Sequence, residues 1–257
     1  MNYYLAPALL LFLYMNLWFV FSLIKRRNDV ADVAWGPGFV IVAWASFFIA
    51  SDYGMRGLLV NTLVSIWGLR LAWHIHSRNK GKPEDYRYLA WRKEWGTWFY
   101  LRSYAQVYIL QGCLLYLIAL PILVINANSS VSLGLLDALG VLVWIIGFAF
   151  EVVGDAELAQ FIKDPVNKGK LMQRGLWAYT RHPNYFGEVM LWWGVWLLSF
   201  SSPHGWFAVV GPLTITFLIL KVSGIPMLEK KMAEHPDFAT YKRRVSIFIP
   251  LPPKKYI

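Results

Sequence analysis

Apolar residues in this chain come in blocks about as long as a bilayer is thick. They run over roughly 5–24, 33–50, 57–75, 104–125, 133–153, 186–201 and 205–224. An α-helix rises about 1.5 Å per residue, so about 20 apolar residues cross a hydrocarbon layer of about 30 Å. In that solvent every backbone N–H and C=O must be satisfied inside the structure, and continuous blocks of this length satisfy them as helices. The expectation is an all-α, polytopic membrane helix bundle with about seven transmembrane helices, forming a single membrane domain over residues 1–257. Composition agrees, since only 16% of residues are charged, against about 25% in an average soluble domain. The first block is long and lacks the small-residue cleavage site of a signal peptide, so it reads as an uncleaved span.

The net charge of +10 could point to nucleic acid, but its distribution excludes that class. The basic residues fall in the joints after blocks 1, 3, 5 and 7. Of the 25 lysines and arginines, only Arg56 sits in a joint after block 2, 4 or 6. The positive-inside rule then predicts an outside N-terminus and a cytoplasmic C-terminus, an arrangement that needs an odd number of spans. Membrane lipids are the expected partners of those basic joints, and the short outer joints favour a bacterial inner membrane. A lone cysteine, Cys113, forms no intramolecular disulfide. Neither metal-ligand spacing nor a Gly-x-Gly-x-x-Gly fingerprint is present, so no metal is expected and any dinucleotide binds outside a Rossmann fold.

Five ionisable residues, Asp32, Arg70, Glu151, Glu188 and Lys221, lie in or at the ends of apolar blocks. A charge at mid-bilayer costs at least about 2.5–3.5 kcal/mol, so such groups pair, face the bundle interior or line a wet cavity. With the predicted orientation all five lie toward the cytoplasmic side. Arg70 and Lys221 have long stems and are equally well read as snorkelling residues. Asp32 and Glu188 reach less far and are read as functional. His74 and His76, at an interfacial helix end, are read as bland.

The stretch "TRHPNYFGEVMLWWG" (180–194) carries the sharpest signal. Pro183 suits the first turn of a helix. Lys168, Lys170, Arg174 and Arg181 precede the unpaired N–H groups of that helix start, a combination suited to phosphate. Asn184, Glu188 and Trp192 recur every fourth residue and share a face. They offer polar groups for ribose or carboxamide and a flat ring to pack. An ordinary basic flank with an aromatic belt accounts for the arginines and tryptophans, but not for His-Pro-Asn followed by a glutamate inside the block.

These residues, with "FEVVGDAELAQFIKDPVNKGK" before them and "EKKMAEHPDFATYKRRVSIFIP" after, resemble the steroid 5α-reductase C-terminal domain family. The bacterial branch known as DUF1295 is more similar still, sharing "DVAWG" and "EDYRY" segments like those at 32–36 and 84–88. The resemblance is most specific over about 150–250, the region it marks as cofactor-binding. It implies a seven-helix protein that uses NADPH to reduce a carbon–carbon double bond conjugated to a carbonyl in a steroid-like or other lipid. Position by position, it implies that Asn184 and Glu188 hold the nicotinamide end or its ribose. Lys163, Lys170 and Arg174 would meet phosphates, and Tyr179, Arg181 and His182 would line the same edge. Asp155 would face the adenosine, while Tyr241 and Arg244 would close the site. Trp192 remains the candidate ring partner. Where steroid reductases have a Gln-Glu pair and a span-three tyrosine, this chain has Ala31-Asp32 and Trp67. Asp32 is the candidate acid toward a developing enolate, with Tyr86 or Tyr88 as alternative proton donors, in a site open to the cytoplasm.

Two other readings stay open. The "RHPNYFG" segment and the later acidic helix also resemble isoprenylcysteine and phospholipid methyltransferases, which would replace NADPH by S-adenosylmethionine. A non-catalytic lipid-binding relative could have kept the scaffold and lost the reaction.

Overall fold

The computed structural model describes residues 3–130 and 132–254. Among them the regular structure is helical, and the one β contact is an isolated parallel bridge between Thr180 and Ser246. Five helices are long and apolar enough to cross a membrane: Leu5–Lys25, Val30–Ala50, Met55–Asn79, Leu135–Lys163 and Gly205–Met232. A sixth crossing is possible if Tyr86–Ile118 and Leu120–Asn126, bent by 50° where they meet, count as one span. Several apolar helices of this kind mark an integral membrane protein. The expected count of about seven exceeds these because the helix after His182 has only 17 residues.

The contacts divide into two compact units, Met1–Gly134 with Leu198–Gly211, and Leu135–Leu197 with Pro212–Ile257. In the first, α1 (Leu5–Lys25), α2 (Val30–Ala50) and α3 (Met55–Asn79) are joined by links of a few residues. The pairs Gly36–Gly68 and Trp44–Ser65 step in opposite directions along α2 and α3, so the two helices run antiparallel. Their backbones touch at the glycines, and a Cβ on Gly68 would fall 2.6 Å from the Gly36 carbonyl oxygen. Next come α4 (Tyr86–Trp95), a 3₁₀ turn, α5 (Phe99–Ser103), a π-helical stretch over Tyr104–Ile109, α6 (Leu110–Ile118) and α7 (Leu120–Asn126). The bend falls just before Pro121, which has no N–H to give and crowds the preceding turn. Polar contacts tie α7 back: buried Asn126 donates to the Ala43 carbonyl (2.9 Å), Ser46 Oγ (2.8 Å) and Asn61 Oδ1 (3.1 Å). Interhelical bonds of this type hold spans together where lipid removes the hydrophobic drive.

The second unit is built on α8 (Leu135–Lys163) and α9 (Pro183–Ser199). The sequence predicted a span ending at 153 and then a loop, yet α8 runs on to Lys163. No breaker intervenes until Asp164-Pro165, where the residue before proline turns extended, with φ −80° and ψ 116°. Gly140 and Gly147 on α8 meet Gly194 and Gly187 on α9, so the two backbones lie in contact. A Cβ on Gly194 would come 2.7 Å from both the Gly140 oxygen and the Trp144 nitrogen. This seam orients the start of α9, placing Gly154 against Pro183 and the Asn184 nitrogen. After α10 (Val210–Phe217) and a π-helical turn come α11 (Ile225–Met232) and α12 (Phe238–Arg244), the last helices among the described residues.

Candidate functional site

The first polar cluster lies where the α1–α2 link meets the approach to α4. α1 stops at Arg26, which takes a left-handed conformation (φ 53°) and returns its N–H to the last turn. The link that follows is an ion-pair lattice. Arg27 grips Asp29 through two bonds of 3.0 and 2.7 Å and donates to the Lys82 carbonyl (2.7 Å). That hydrogen-bonded carboxylate raises the Arg27 pKa above its ordinary value. Glu84 accepts from the Asn28 N–H (2.5 Å) and from Arg92 (2.7 Å). Asp85 caps α4 by accepting from the Arg87 N–H (3.0 Å), and it also accepts from the Arg87 side chain (2.9 Å). Burial acts to raise Asp85, but the hydrogen bonds and charge of Arg87 outweigh it and hold the carboxyl below its ordinary range.

Asp32 is the inner end of this lattice. Its two oxygens accept from Arg87 Nη2 at 2.6 Å and from the Tyr88 hydroxyl at 2.8 Å. A carboxylate held by a guanidinium and a phenol is a hydrogen-bond acceptor, and the proton in this pair resides on Tyr88. Tyr88 is 1% exposed, whereas Tyr86 is 41% exposed on the same helix. Trp67 on α3 is fully buried and meets Phe39 edge-on at 5.4 Å. The sequence reading missed Arg87, although it lies within the "EDYRY" segment. Its partner Asp32 is 55 residues away, and no local pattern reveals such a pair.

The second cluster belongs to the start of α9. Arg181 and His182, read from sequence as part of a phosphate edge, are 3% and 1% exposed. Arg181 forms a two-pronged pair with Glu229 at 2.6 and 3.1 Å and donates to the carbonyls of Lys242 (3.2 Å) and Val245 (2.6 Å). His182 Nε2 is 3.2 Å from the same carboxylate. Four donor contacts thus point inward, and in this arrangement the guanidinium docks the C-terminal segment. That docking is reinforced by Arg181 N–H to the Ser246 carbonyl (2.9 Å), Thr180 Oγ1 to Phe248 (2.8 Å) and Leu251 N–H to Tyr179 (3.0 Å). Tyr241 is buried beside it and donates to the Trp177 carbonyl (2.7 Å). Burial raises the pKa of its hydroxyl.

Asn184 behaves differently. It is half-buried, its Oδ1 accepts from the next N–H (3.0 Å), and its amide donates to Asp155 on α8 at 3.1 Å. Asp155 therefore sits on a helix, a turn beyond buried Glu151, and not in a loop. Glu188 is half-buried one turn along α9, and Trp192 is fully buried a further turn on. Lys163, Lys168, Lys170 and Arg174 remain exposed, as does Tyr179, while Arg244 is half-buried. The segment that carries the four cations is ordered by its own bonds. Asp164 accepts from Val166 (3.0 Å), Asn167 donates to the Phe161 carbonyl (3.1 Å), and His235 reaches Gly169 (2.7 Å). Glu157 accepts from Leu176 (3.0 Å) and closes the far end. The cations and the Asp155–Asn184 pair could hold phosphates and a polar sugar or amide. Among the described residues no group of three metal-ligating side chains is found.

Comparison with known proteins agrees with the sequence motifs. The model of a family described as "Protein of unknown function (DUF1295)" matches residues 18–245. An uncharacterised protein of Schizosaccharomyces pombe is 23% identical over 282 residues, covering 97% of this chain and 80% of that relative. No solved structure matches.

Proposed function

We propose, since the chain belongs to the DUF1295 family, that it is a membrane reductase acting on a lipid. It would use NADPH to saturate a carbon–carbon double bond conjugated to a carbonyl, in a steroid-like or other lipid. In this reading α9 and the bent α6–α7 pair complete seven spans. The basic joints then put the C-terminus in the cytoplasm and the N-terminus outside, in a bacterial inner membrane. The observation that carries the reading is the ordered basic segment 163–174, which keeps Lys163, Lys168, Lys170 and Arg174 exposed while Arg181 is committed internally. That donor set suits a phosphate-bearing dinucleotide, whereas S-adenosylmethionine has no phosphate to meet it.

NADPH, when bound, supplies the hydride. The chain's own residues would supply the rest. Asp155 orients the Asn184 amide, and Glu188 lies on the same face of α9, one turn further on. On the acceptor side Tyr88 is the proton donor favoured by geometry, because Asp32 is already an acceptor. Arg87 would offset one of the two negative charges that stand on Asp32 and Tyr88 once that proton has gone to the reduced lipid.

The test is thermal unfolding of the purified full-length protein with each cofactor. At about 100 times Kd a ligand stabilises the native state by about 2.7 kcal/mol. NADPH should raise the melting temperature more than NADH or S-adenosylmethionine. Replacing Lys168, Lys170 and Arg174 together by glutamine should leave the ligand-free melting temperature in place and remove that preference. A larger shift with S-adenosylmethionine would overturn the reductase reading in favour of a methyltransferase.

A further inference from the structure

A cavity of about 380 Å³ lies between α1 and the stretch running from the π-helical turn into α6. Ala8, Leu11 and Met15 form one wall, and Tyr108, Gly112 and Cys113 form the other. Its size is at the lower end of the ~300–1,000 Å³ usual for small-molecule sites. Leu11, Met15 and Tyr108 are 3%, 2% and 0% exposed and form the buried floor of a groove that is open at its rim. Two features of the α6 side open it. A π-helical turn spans Tyr104–Ile109, a deviation that recurs at functional sites. Gly112 then leaves room that a side chain would fill, since even a Cβ there comes 3.2 Å from Met15 Cγ.

The chemistry of the walls restricts the guest. Both tyrosine hydroxyls on the walls are engaged by the protein, Tyr116 donating to the Tyr4 carbonyl (2.5 Å) at an exposed position and Tyr108 to buried Asn28 Oδ1 (3.4 Å). A guest therefore meets carbon and one thiol. From Ala8 to Met15 the groove follows seven residues of helix, about 10 Å. Its rim, at Phe12 and Leu117, is exposed on helices that face hydrocarbon, so a guest enters sideways from the bilayer. The Tyr108 end is polar in its second layer. Asn28 also donates to Ser103 (2.7 Å), and its backbone N–H goes to Glu84, in the lattice that holds Asp32 and Tyr88.

We infer that this groove is the tail subsite of the acceptor lipid: a hydrocarbon chain lies between α1 and α6 with its polar head directed to the Asn28–Asp32 end. The identity of the molecule as acceptor rests on the lipid-reductase reading, whereas occupancy by a tail does not require NADPH. The full-length protein is placed in phosphatidylcholine nanodiscs doped with a phospholipid carrying a diazirine on its palmitoyl chain, and cross-links are mapped residue by residue. Labelling at Tyr108–Cys113 should saturate as the probe fraction rises, while labelling at outward-facing Leu17 and Ile24 rises in proportion. Gly112→Leu should cut the groove labelling about tenfold and leave the outward positions unchanged. Ala8→Phe, which fills the opposite wall, should do the same should Gly112→Leu not fold. Proportional labelling of the groove, or labelling insensitive to both substitutions, overturns the inference. The NADPH melting shift measured on the same samples separates the two readings. Saturable labelling without a shift sinks the reductase and keeps the groove, and a shift with proportional labelling does the reverse.

Discussion

Replacing Arg181 with alanine should destabilise the protein severely without any ligand present. The side chain is 3% exposed and its partner Glu229 is 13% exposed. The substitution strands a largely buried carboxylate and removes donors from the Lys242 and Val245 carbonyls. Breaking one half of a buried pair costs about 3–5 kcal/mol, because the charge left behind is uncompensated. At about 2–4 °C per kcal/mol for a chain of this size, the melting temperature should fall by about 6–20 °C. Scanning calorimetry of the detergent-solubilised protein, at one fixed scan rate, reads that shift. Hydrogen exchange over 238–251 should rise with it, since Arg181 docks that segment. The double variant Arg181→Met with Glu229→Leu should recover most of the loss, because removing both charges leaves neither one buried alone. A single variant within about 0.5 kcal/mol of the parent, losing only its NADPH response, would refute the reasoning. It would return Arg181 to the phosphate role that its place in the motif first implied.

Two further outcomes follow from the packing and the charges. Gly194→Val should block the close approach of α8 and α9 and cost at least the roughly 1–3 kcal/mol typical of overpacking, whereas Gly134→Ala, with nothing within 4 Å of its new Cβ, should be neutral; urea or thermal unfolding of both variants checks this. The Asp85 cap of α4 gives a pH dependence. Its pKa is lowered in the folded protein, so its contribution is complete above the unfolded value near ~3.9 and is lost as pH falls through the lower folded value. Protection factors of residues 86–95 should therefore stay level down to about pH 4 and fall below it, and in Asp85→Ala they should be lowered above about pH 4 by a cap loss of about 0.5–2 kcal/mol and converge with the parent at lower pH.

The chain's own pattern was enough to locate the apolar helices, to begin α9 at Pro183 and to put Lys168, Lys170 and Arg174 in an exposed joint. Each of these depends on local chemistry: runs of apolar side chains partition into oil, proline fits a first turn, and lysines stay wet. The sequence reading made nothing of the glycines at seven-residue spacing on α8 and α9, because only their facing each other gives the spacing meaning. The burial and partners of each ionisable group were decided by tertiary structure alone. Arg181 and Lys170 look alike in sequence, yet one is sealed against Glu229, 48 residues further on, and the other faces solvent. Asp32 reads as a candidate acid in sequence, where nothing shows that Arg87 and Tyr88, 55 and 56 residues later, contact its two oxygens. Burial and pairing set what a charged side chain can do, and both come from packing between segments far apart in the chain, which no local pattern encodes.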